Sequence, residues 1–173
     1  MKKLIVALSI SLMCLNVTAQ GISDLDFLIG KWEVQETIYP GTENSWTEAG
    51  VRTCEYYLKG QFIKCESLTT DSRNQRERAY TYLINYNEKA RYFEVTSLAH
   101  DFPLHGQHQW YLDKEREVIQ AISPINVNED RFFRGTIDYS DLNRIVWNGW
   151  SSNYNEDKEW KQVFNDTATK KED

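Results

Sequence analysis

The segment FLIGKWEVQETIYP, residues 27–40, joins a short apolar helical turn to a β-strand through a Gly-x-Trp step. From Trp32 onward the residues alternate, and one face carries Trp32, Val34, Glu36 and Ile38. A period of two residues is typical of a strand that is buried on one face only. The segment therefore predicts a helical turn followed by a half-buried first strand.

The rest of the chain reads as a meander of strands separated by polar turns, with no helical periodicity in its interior. Counting the first strand, the pattern predicts about ten strands, the last of them from Glu159 to Asn165. It favours a closed antiparallel up-and-down barrel over a sandwich, because closure removes exposed strand edges. The helical turn, capped at Ser23, would plug one end of this all-β barrel. A turn at Asn148-Gly149 is an alternative that would divide the strand predicted at 144–151.

Three short motifs occur in a fixed order, with FLIGKW at residues 27–32, LKGQF at 58–62 and YNEKARYFEV at 86–95. In this order they resemble the lipocalin-like, or calycin, barrels, and more closely a bacterial family of exported lipocalin-like domains of unknown function. The resemblance implies that a short helix plugs the barrel. It also implies structural roles for Gly30 and for Trp32, whose ring would pack across the barrel floor. It supplies no catalytic residues.

The first 19 residues have the features of a secretory signal peptide. Two lysines follow Met1, the run at 4–17 is mostly apolar, and small residues provide a cleavage site after Ala19. The apolar run is too short to span a bilayer, which takes about 20 residues. We therefore expect a periplasmic or secreted protein without an integral membrane segment. A lipoprotein attached through Cys14 is an alternative, although Met13 stands where a small residue is preferred.

Cleavage there would leave one domain, predicted as a barrel at 20–166 followed by a charged flexible tail at 167–173. The formal net charge is −6, and it becomes −8 once the two leader lysines are removed. An acidic chain without a basic cluster is unsuited to nucleic acids or anionic membranes. The many aromatic residues, 6 Trp, 10 Tyr and 7 Phe, favour long strands over disorder. We expect a monomer or weak dimer.

A turn at Lys59-Gly60 sets the register of the hairpin formed by the second and third strands. It places Tyr57 opposite Phe62 and, further from the turn, Cys54 opposite Cys65. Directly opposed residues have Cα atoms about 4.5 to 5.5 Å apart, a separation that a disulfide can bridge. The two cysteines are therefore predicted to form a disulfide, which an oxidising compartment would preserve.

Two later hairpins are placed by polar turns predicted at 87–90 and 113–116. The pairs that these turns would oppose are Ile84 with Phe93 and Trp110 with Ile119. The first hairpin gathers an apolar face that we expect to be interior. That face carries Tyr80, Tyr82, Ile84, Phe93 and Val95.

Eight residues on presumed inner faces are the candidates for ligand binding. Glu36 stands out because an inward acid could anchor a ligand, pair with Arg52 or lie in water at the barrel mouth. Buried Tyr and Trp rings need polar partners, which favours a pocket, although a barrel of this size can also be filled by its own side chains. The candidates are Glu36, Arg52, Tyr56, Tyr82, Phe93, His108, Trp110 and Phe133.

The three histidines, His100, His105 and His108, lie close together and invite a metal site. However, a regular strand would put His105 and His108 on opposite faces, and there is no His-Glu-x-x-His motif. The nitrobindins share this barrel type and bind haem through a histidine near the C-terminus, whereas no histidine follows His108 here. We therefore predict no metal, haem or other cofactor.

No Gly-x-Ser-x-Gly elbow or glycine-rich phosphate loop is present, so the sequence favours a non-catalytic protein. The first hypothesis is a barrel that encloses a small hydrophobic or amphipathic molecule. The second is a calycin-type enzyme, an isomerase or hydrolase, with Glu36 or His108 beside another titratable group whose pKa is shifted. The third is an interaction module with a filled barrel and its function in the rim loops. The volume and lining of the interior distinguish the three.

Overall fold

The structure, a computed structural model, describes residues 20–99, 105–126, 131–153 and 157–172. These residues form a 3-10 helix, Ile22–Leu28, and ten β-strands. The strands are β1 (Gly30–Ile38), β2 (Trp46–Tyr57), β3 (Phe62–Asp71), β4 (Glu77–Asn87), β5 (Tyr92–Ala99), β6 (His105–Asp113), β7 (Val118–Asn126), β8 (Arg131–Asp141), β9 (Arg144–Asn153) and β10 (Asp157–Lys170). In the part of the chain that is described, no helix has the length and apolar character of a membrane span.

The ten strands close into an antiparallel barrel. Each strand pairs with its neighbours in sequence, and β1 also pairs with β10. At this seam Trp32 lies opposite Lys170, and Ile38 lies opposite Phe164. The predicted closed up-and-down barrel is therefore confirmed. Closure gives both edges of the meander a partner, which satisfies backbone groups that an open sheet would expose.

The 3-10 helix packs against the barrel core at one end. Leu25 is fully buried, and Trp32 Nε1 donates a 2.8 Å hydrogen bond to a carbonyl of the helix. The predicted cap is wrong, because Ser23 lies inside the helix. Gly21 precedes the helix instead, and its N–H donates to the Asp24 carboxylate at 3.1 Å. An acid in the first helical turn can thus satisfy the free backbone N–H without a hydroxyl cap.

The Gly-x-Trp step connects this helix to β1. Gly30 has a φ of 127°, which side-chain-bearing residues rarely adopt. Trp32 is 1% exposed, and the Lys170 ammonium lies 5.3 Å from its ring centre. Glycine thus permits the change of direction that lays the tryptophan ring beside the helix.

The β2–β3 hairpin has the predicted register. Tyr57 lies opposite Phe62 and Cys54 lies opposite Cys65, across a loop of residues 58–61. The two Sγ atoms are 2.03 Å apart, in a disulfide with a Cα separation of 4.0 Å. This separation is shorter than the expected 4.5 to 5.5 Å. The loop has four residues centred on Lys59-Gly60, and a turn of two or of four residues with this centre is expected to give the same pairing.

The β4–β5 hairpin differs from its predicted register. Ile84 lies opposite Val95 rather than Phe93, because the loop begins after Asn87 and not with it. Arg91 closes the loop with a φ of 60°, and a non-glycine residue in this region gives no sequence signal. The shift covers an even number of residues, so the predicted interior face is unchanged. Ile84, Phe93 and Val95 are each 1% exposed or less.

The β6–β7 hairpin repeats this difference. Trp110 lies opposite Ala121 rather than Ile119. The Asp113 side chain accepts a backbone N–H within the loop, and Glu117 closes the loop with a φ of 54°. Asn87 and Asp113 therefore each end a strand, whereas they were predicted to be the first residues of the turns.

The C-terminal strands are longer than predicted. Asn148-Gly149 lies inside β9, so the alternative turn at this dipeptide is wrong. β10 continues to Lys170, and the prediction of a flexible tail is wrong as far as that residue. Ala168 is 2% exposed and lies opposite Val34 of β1. The polar composition of residues 167–170 is typical of a flexible tail. These residues form a strand because closure of the barrel pairs them with β1.

The half of the barrel next to the helix is filled by side chains. The core cluster there includes Leu25, Trp32, Ile63, Ile84, Phe93, Trp110, Ile119 and Ile137. A small cavity of about 30 Å³ remains beside the disulfide. A larger cavity in the barrel interior lies at the other end.

Candidate functional site

A cavity of about 390 Å³ occupies the end of the barrel opposite the 3-10 helix. We call it the upper cavity. It is lined by residues from strands β1, β2, β4, β5, β6, β8, β9 and β10. One side of the lining is charged, with Glu36, Arg52 and Asp166, and the adjoining side is aromatic, with Phe133, Trp147 and Phe164. The two sides meet at β10, where Asp166 lies opposite Trp147 of β9. Among the described residues, the barrel is therefore filled at the helix end and hollow at the other.

Three carboxylates lie side by side across the strands β2, β1 and β10. Glu36 lies opposite Glu48 in the β1–β2 ladder and opposite Asp166 in the β1–β10 ladder. Adjacent strands are about 4.8 Å apart, and directly opposed residues point to the same face. Like charges in this arrangement repel each other. We refer to Glu48, Glu36 and Asp166 as the carboxylate row.

The two outer members of the row are each paired with an arginine. Asp166 Oδ2 accepts a 2.6 Å hydrogen bond from Arg52 Nη2, and Glu48 Oε1 accepts one of 2.7 Å from Arg78 Nη1. Glu48 Oε2 accepts a further hydrogen bond from Thr69 Oγ1 at 2.9 Å. Glu48 is 1% exposed and Asp166 is 2% exposed, so both ion pairs are buried. Buried carboxylates require such partners to remain ionised.

The middle member, Glu36, is different. Within the described residues its carboxyl group forms no hydrogen bond or ion pair, and its side chain is partly buried against the upper cavity. The pKa of Glu36 is raised to about 8, chiefly by burial and then by the charges of Asp166 and Glu48, while Arg52 and Arg78 act in the opposite direction. Glu36 is therefore mostly protonated at pH 7, between two carboxylates that each pair with an arginine.

Two tyrosines continue the charged side of the cavity. Burial raises the pKa of Tyr80 and of Tyr82, so both hydroxyls stay protonated. The Arg52 guanidinium lies 5.9 Å from the ring centre of Tyr82. These hydroxyls are hydrogen-bond donors and acceptors beside the carboxylate row.

The aromatic side consists of Phe133, Trp147 and Phe164, which we call the aromatic wall. The rings of Phe133 and Phe164 stack with centres 5.9 Å apart, and Trp147 meets Phe164 edge-on at 5.3 Å. Gly149 makes room for them, because a Cβ atom there would lie 2.3 Å from the Phe164 ring. This contact explains a glycine in the middle of β9. Trp147 Nε1 is buried without a hydrogen-bond partner in the described part of the chain.

His108 lies at the edge of the aromatic wall, 5.4 Å from Phe133 between ring centres. Its Nε2 atom is 3.1 Å from Ser97 Oγ, and Nδ1 is buried with no partner among the described residues. Burial lowers the pKa of His108 to about 4, so the ring is neutral at pH 7. Gly106 leaves space for the pair, since a Cβ atom there would lie 2.6 Å from Ser97 Oγ. A histidine with so low a pKa is a weak general base for the serine hydroxyl.

Five of the eight candidate residues line the upper cavity, namely Glu36, Arg52, Tyr82, His108 and Phe133. Trp110 lines the small lower cavity, and Phe93 is fully buried in the core. Tyr56 is 43% exposed, and its hydroxyl donates to the Asp26 carboxylate beside the 3-10 helix. These three lie outside the upper cavity, because their strand positions are closer to the helix.

The cavity lining also includes residues that were not among the predicted candidates, namely Asp166, Tyr80, Ser97, Trp147 and Phe164. Asp166 was not recognised because the last strand was predicted to end at Asn165. Closure of the barrel was predicted, but the register of β10 against β1, which places this acid beside Glu36, was not.

The histidine cluster is described only in part. His100 lies outside the described residues, and of His105 the structure gives the backbone, in β6. Among the residues that are described, no group of three or more His, Cys, Asp or Glu side chains converges as a metal site would require.

Comparison with known proteins identifies the fold. No family model matches this chain, and no curated protein matches it. The crystal structure of Rv2717c from M. tuberculosis is 8% identical, with 87% of this chain and 97% of that chain covered and a TM-score of 0.62. The S-type phycobiliprotein lyase CPES from Guillardia theta is 7% identical, with 89% of this chain and 94% of that chain covered and a TM-score of 0.58. At these identities the likeness shows the fold alone, and that fold is a closed antiparallel up-and-down barrel.

Proposed function

We propose that this protein is an exported barrel that binds a small, partly apolar molecule in the upper cavity and carries out no reaction on it. One observation carries the proposal, namely a cavity of about 390 Å³ whose charged side adjoins an aromatic side. Pockets for small molecules commonly measure about 300 to 1,000 Å³ and combine an apolar lining with a few polar groups. An amphipathic molecule matches both sides at once.

The aromatic wall would supply most of the affinity. Burial of apolar surface contributes about 25 cal/mol for each Å² removed from water. Phe133, Phe164 and Trp147 present rings already held in place by contacts with one another. A ligand ring or alkyl chain therefore meets a rigid surface and does not have to order it.

Polar groups in the lining would orient the ligand. The Glu36 carboxyl has no hydrogen-bond or ion-pair partner among the described residues, and the Tyr80 and Tyr82 side chains line the same cavity. Protonated carboxyl and hydroxyl groups both donate and accept hydrogen bonds. A ligand with a polar end would therefore bind with that end at the carboxylate row.

Export belongs to the same proposal. It is supported by the leader-like residues 1–19 and by the disulfide, which is stable in oxidising compartments. The mature protein is expected to begin at Gln20. The intact mass of the protein from its native host tests this.

A second candidate function is acid–base catalysis, and one observation favours it. The pKa of Glu36 is raised to about 8, close to the working pH at which a general acid is most effective. However, burial and repulsion by neighbouring carboxylates also raise the pKa of a glutamate in a binding site, so the shift does not by itself indicate catalysis. The other titratable candidate, His108, has a pKa lowered to about 4 and so provides no matching base at neutral pH.

Tryptophan fluorescence tests the proposal, because Trp147 lies in the cavity lining. We expect its emission to change saturably with a member of a library of lipids, phenols and terpenoids, and the ligand to be recovered chemically unchanged. The response should be lost in Trp147→Phe and kept in Trp160→Phe, since Trp160 is 37% exposed. Silence across the library would contradict binding. Conversion of the bound molecule, abolished by Glu36→Gln, would establish the catalytic candidate instead.

A further inference from the structure

Among the described residues, the charges of the carboxylate row and its arginines do not balance. Three carboxylates, those of Glu48, Glu36 and Asp166, adjoin two guanidinium groups, those of Arg52 and Arg78. Each guanidinium already forms an ion pair with an outer carboxylate. With all five groups ionised, the cluster has one negative charge in excess, and it belongs to Glu36.

A second observation is that the unpaired carboxyl lies in the cavity lining. Glu36 lines the upper cavity and has no hydrogen-bond or ion-pair partner among the described residues, whereas Asp166 Oδ2 binds Arg52 and Asp166 Oδ1 is enclosed in the wall. Carboxylate oxygens accept hydrogen bonds and donate none. The cavity therefore presents an unpaired carboxyl at Glu36, between two further carboxylates, and it would bind a group that has both donors and positive charge.

We propose that the ligand is an organic monocation, with an ammonium group held by Glu36 and an apolar body held by the aromatic wall. This inference rests on the proposed function and specifies the chemical class of the ligand. A protonated amine has one charge, which matches the excess charge at Glu36, and it has three N–H donors that a carboxylate can accept. Aromatic faces also attract cations, so the adjoining aromatic wall would not oppose the charge.

Other charged occupants match less well. The carboxylate row does not form a convergent cluster of the kind that holds a metal ion, among the residues described. An anion would lie beside Glu36, Glu48 and Asp166 and would compete with Asp166 for Arg52. The charge distribution therefore selects a cation on a carbon skeleton.

Proton linkage gives this inference a distinctive signature. The groups that face Glu36 are Asp166 from β10, Glu48 and Arg52 from β2, and Arg78 and the two cavity tyrosines from β4. A cation pairs with ionised Glu36 only, so binding should displace the proton from a carboxyl whose pKa is about 8. For an amine that stays charged, affinity should rise about 15-fold from pH 6.5 to pH 8.

The test uses three probes that share one ring and differ in charge, namely naphthylethylamine, naphthylethanol and naphthylacetate. Calorimetric titration of the folded protein at pH 8 should show the amine binding about tenfold tighter than the alcohol, which corresponds to one favourable charge pair. Repeating the titration in buffers of different ionisation enthalpy should show proton release with the amine alone.

Glu36→Gln is the decisive variant, and Glu33→Gln is its matched control. Glu33 lies on the same strand with its side chain 65% exposed, paired with Lys171 outside the barrel. Glu36→Gln should remove the preference for the amine and its pH dependence while the alcohol still binds, and Glu33→Gln should change neither. If the alcohol or the acetate binds wild type as tightly as the amine, the inference is overturned and the proposed function still stands. If all three probes and the wider library fail to bind, both are overturned.

Discussion

Replacing Glu36 with glutamine should stabilise the ligand-free protein at high pH and have little effect at low pH. The pKa of Glu36 is raised from 4.5 to about 8 on folding, so the folded state holds this proton more tightly than the unfolded state. Below pH 4.5 both states are protonated and the wild type suffers no penalty. As the pH rises from there through 8, the folded state loses stability because it must ionise a carboxyl that its surroundings keep neutral.

The expected difference in the free energy of unfolding follows from the pKa shift of Glu36. Each pKa unit is worth about 1.4 kcal/mol, so a shift to about 8 sets an upper limit of about 4 to 5 kcal/mol. Water in the cavity mouth reaches the carboxyl and reduces this, so we expect about 2 to 3 kcal/mol at pH 8.5. Glutamine has the same shape as protonated glutamate and needs no ionisation, so the variant should avoid the whole penalty.

Urea unfolding at pH 4.5 and pH 8.5 measures this, with Glu33→Gln as the control on the outer face of the same strand. Glu36→Gln should match wild type at the lower pH and exceed it by the stated amount at the higher pH. Glu33→Gln should stay within about 0.5 kcal/mol of wild type at both. A Glu36→Gln protein that is equally stable or less stable at pH 8.5 would refute the reasoning, because Glu36 would then have to be a paired, ionised acid.

Three further predictions concern the framework of the barrel. Trp32→Ala should lower the free energy of unfolding by about 3 to 5 kcal/mol because the ring is 1% exposed, whereas Trp32→Phe should lower it by less; a melting temperature within a degree of wild type for the alanine variant would contradict this. Cys54 and Cys65 should resist alkylation until reduced, and replacing both with alanine should cost about 2 to 3 kcal/mol, since the loop they close is short; two labelled thiols by intact mass in unreduced protein would mean that no bond forms. Arg52→Gln should cost about 3 to 5 kcal/mol by leaving Asp166 buried without its 2.6 Å partner, and adding Asp166→Asn should restore part of the loss; equal costs for the single and double variants would contradict a coupled pair.

The sequence carries the pattern of the barrel more reliably than its register. Alternation around Trp32 and the central Lys59-Gly60 turn were enough to place β1 and to pair Cys54 with Cys65, because period-two burial and turn position are local properties. The β4–β5 and β6–β7 registers were missed because Arg91 and Glu117 adopt a left-handed backbone without glycine. An even shift left the interior faces intact, so the error did not affect the core.

The cavity was harder to predict than the fold. Glu36 and Arg52 could be placed on inner faces from alternation alone, but whether the interior is open depends on how many side chains fill it. Tyr56 and Phe93 have the same inward alternation as Tyr82, yet only Tyr82 lies high enough in the barrel to line the cavity. The position of a residue along the barrel axis depends on the stagger between neighbouring strands, and the sequence of one strand does not determine that stagger.

Asp166 illustrates the remaining limit. Its position next to Glu36 results from the pairing of the first and last strands, the contact with the greatest separation in the chain. No local pattern links the two residues. The pairing of Asp166 with Glu36, which sets the charge of the site, thus depends on barrel closure. The sequence predicts that the barrel closes but does not predict which residues of β1 and β10 lie opposite each other.

The most direct measurement of the central claim is native mass spectrometry of the protein purified from its host, with one variant that fills the upper cavity. Ala99 lines the cavity opposite Tyr80, so Ala99→Phe would place a ring in the space, while Ala79→Phe adds the same ring to the outer surface beside Leu68. We predict one bound small molecule per chain in wild type and in Ala79→Phe, and none in folded Ala99→Phe. A wild-type protein with no adduct, or an adduct that persists in folded Ala99→Phe, would contradict ligand binding in the upper cavity.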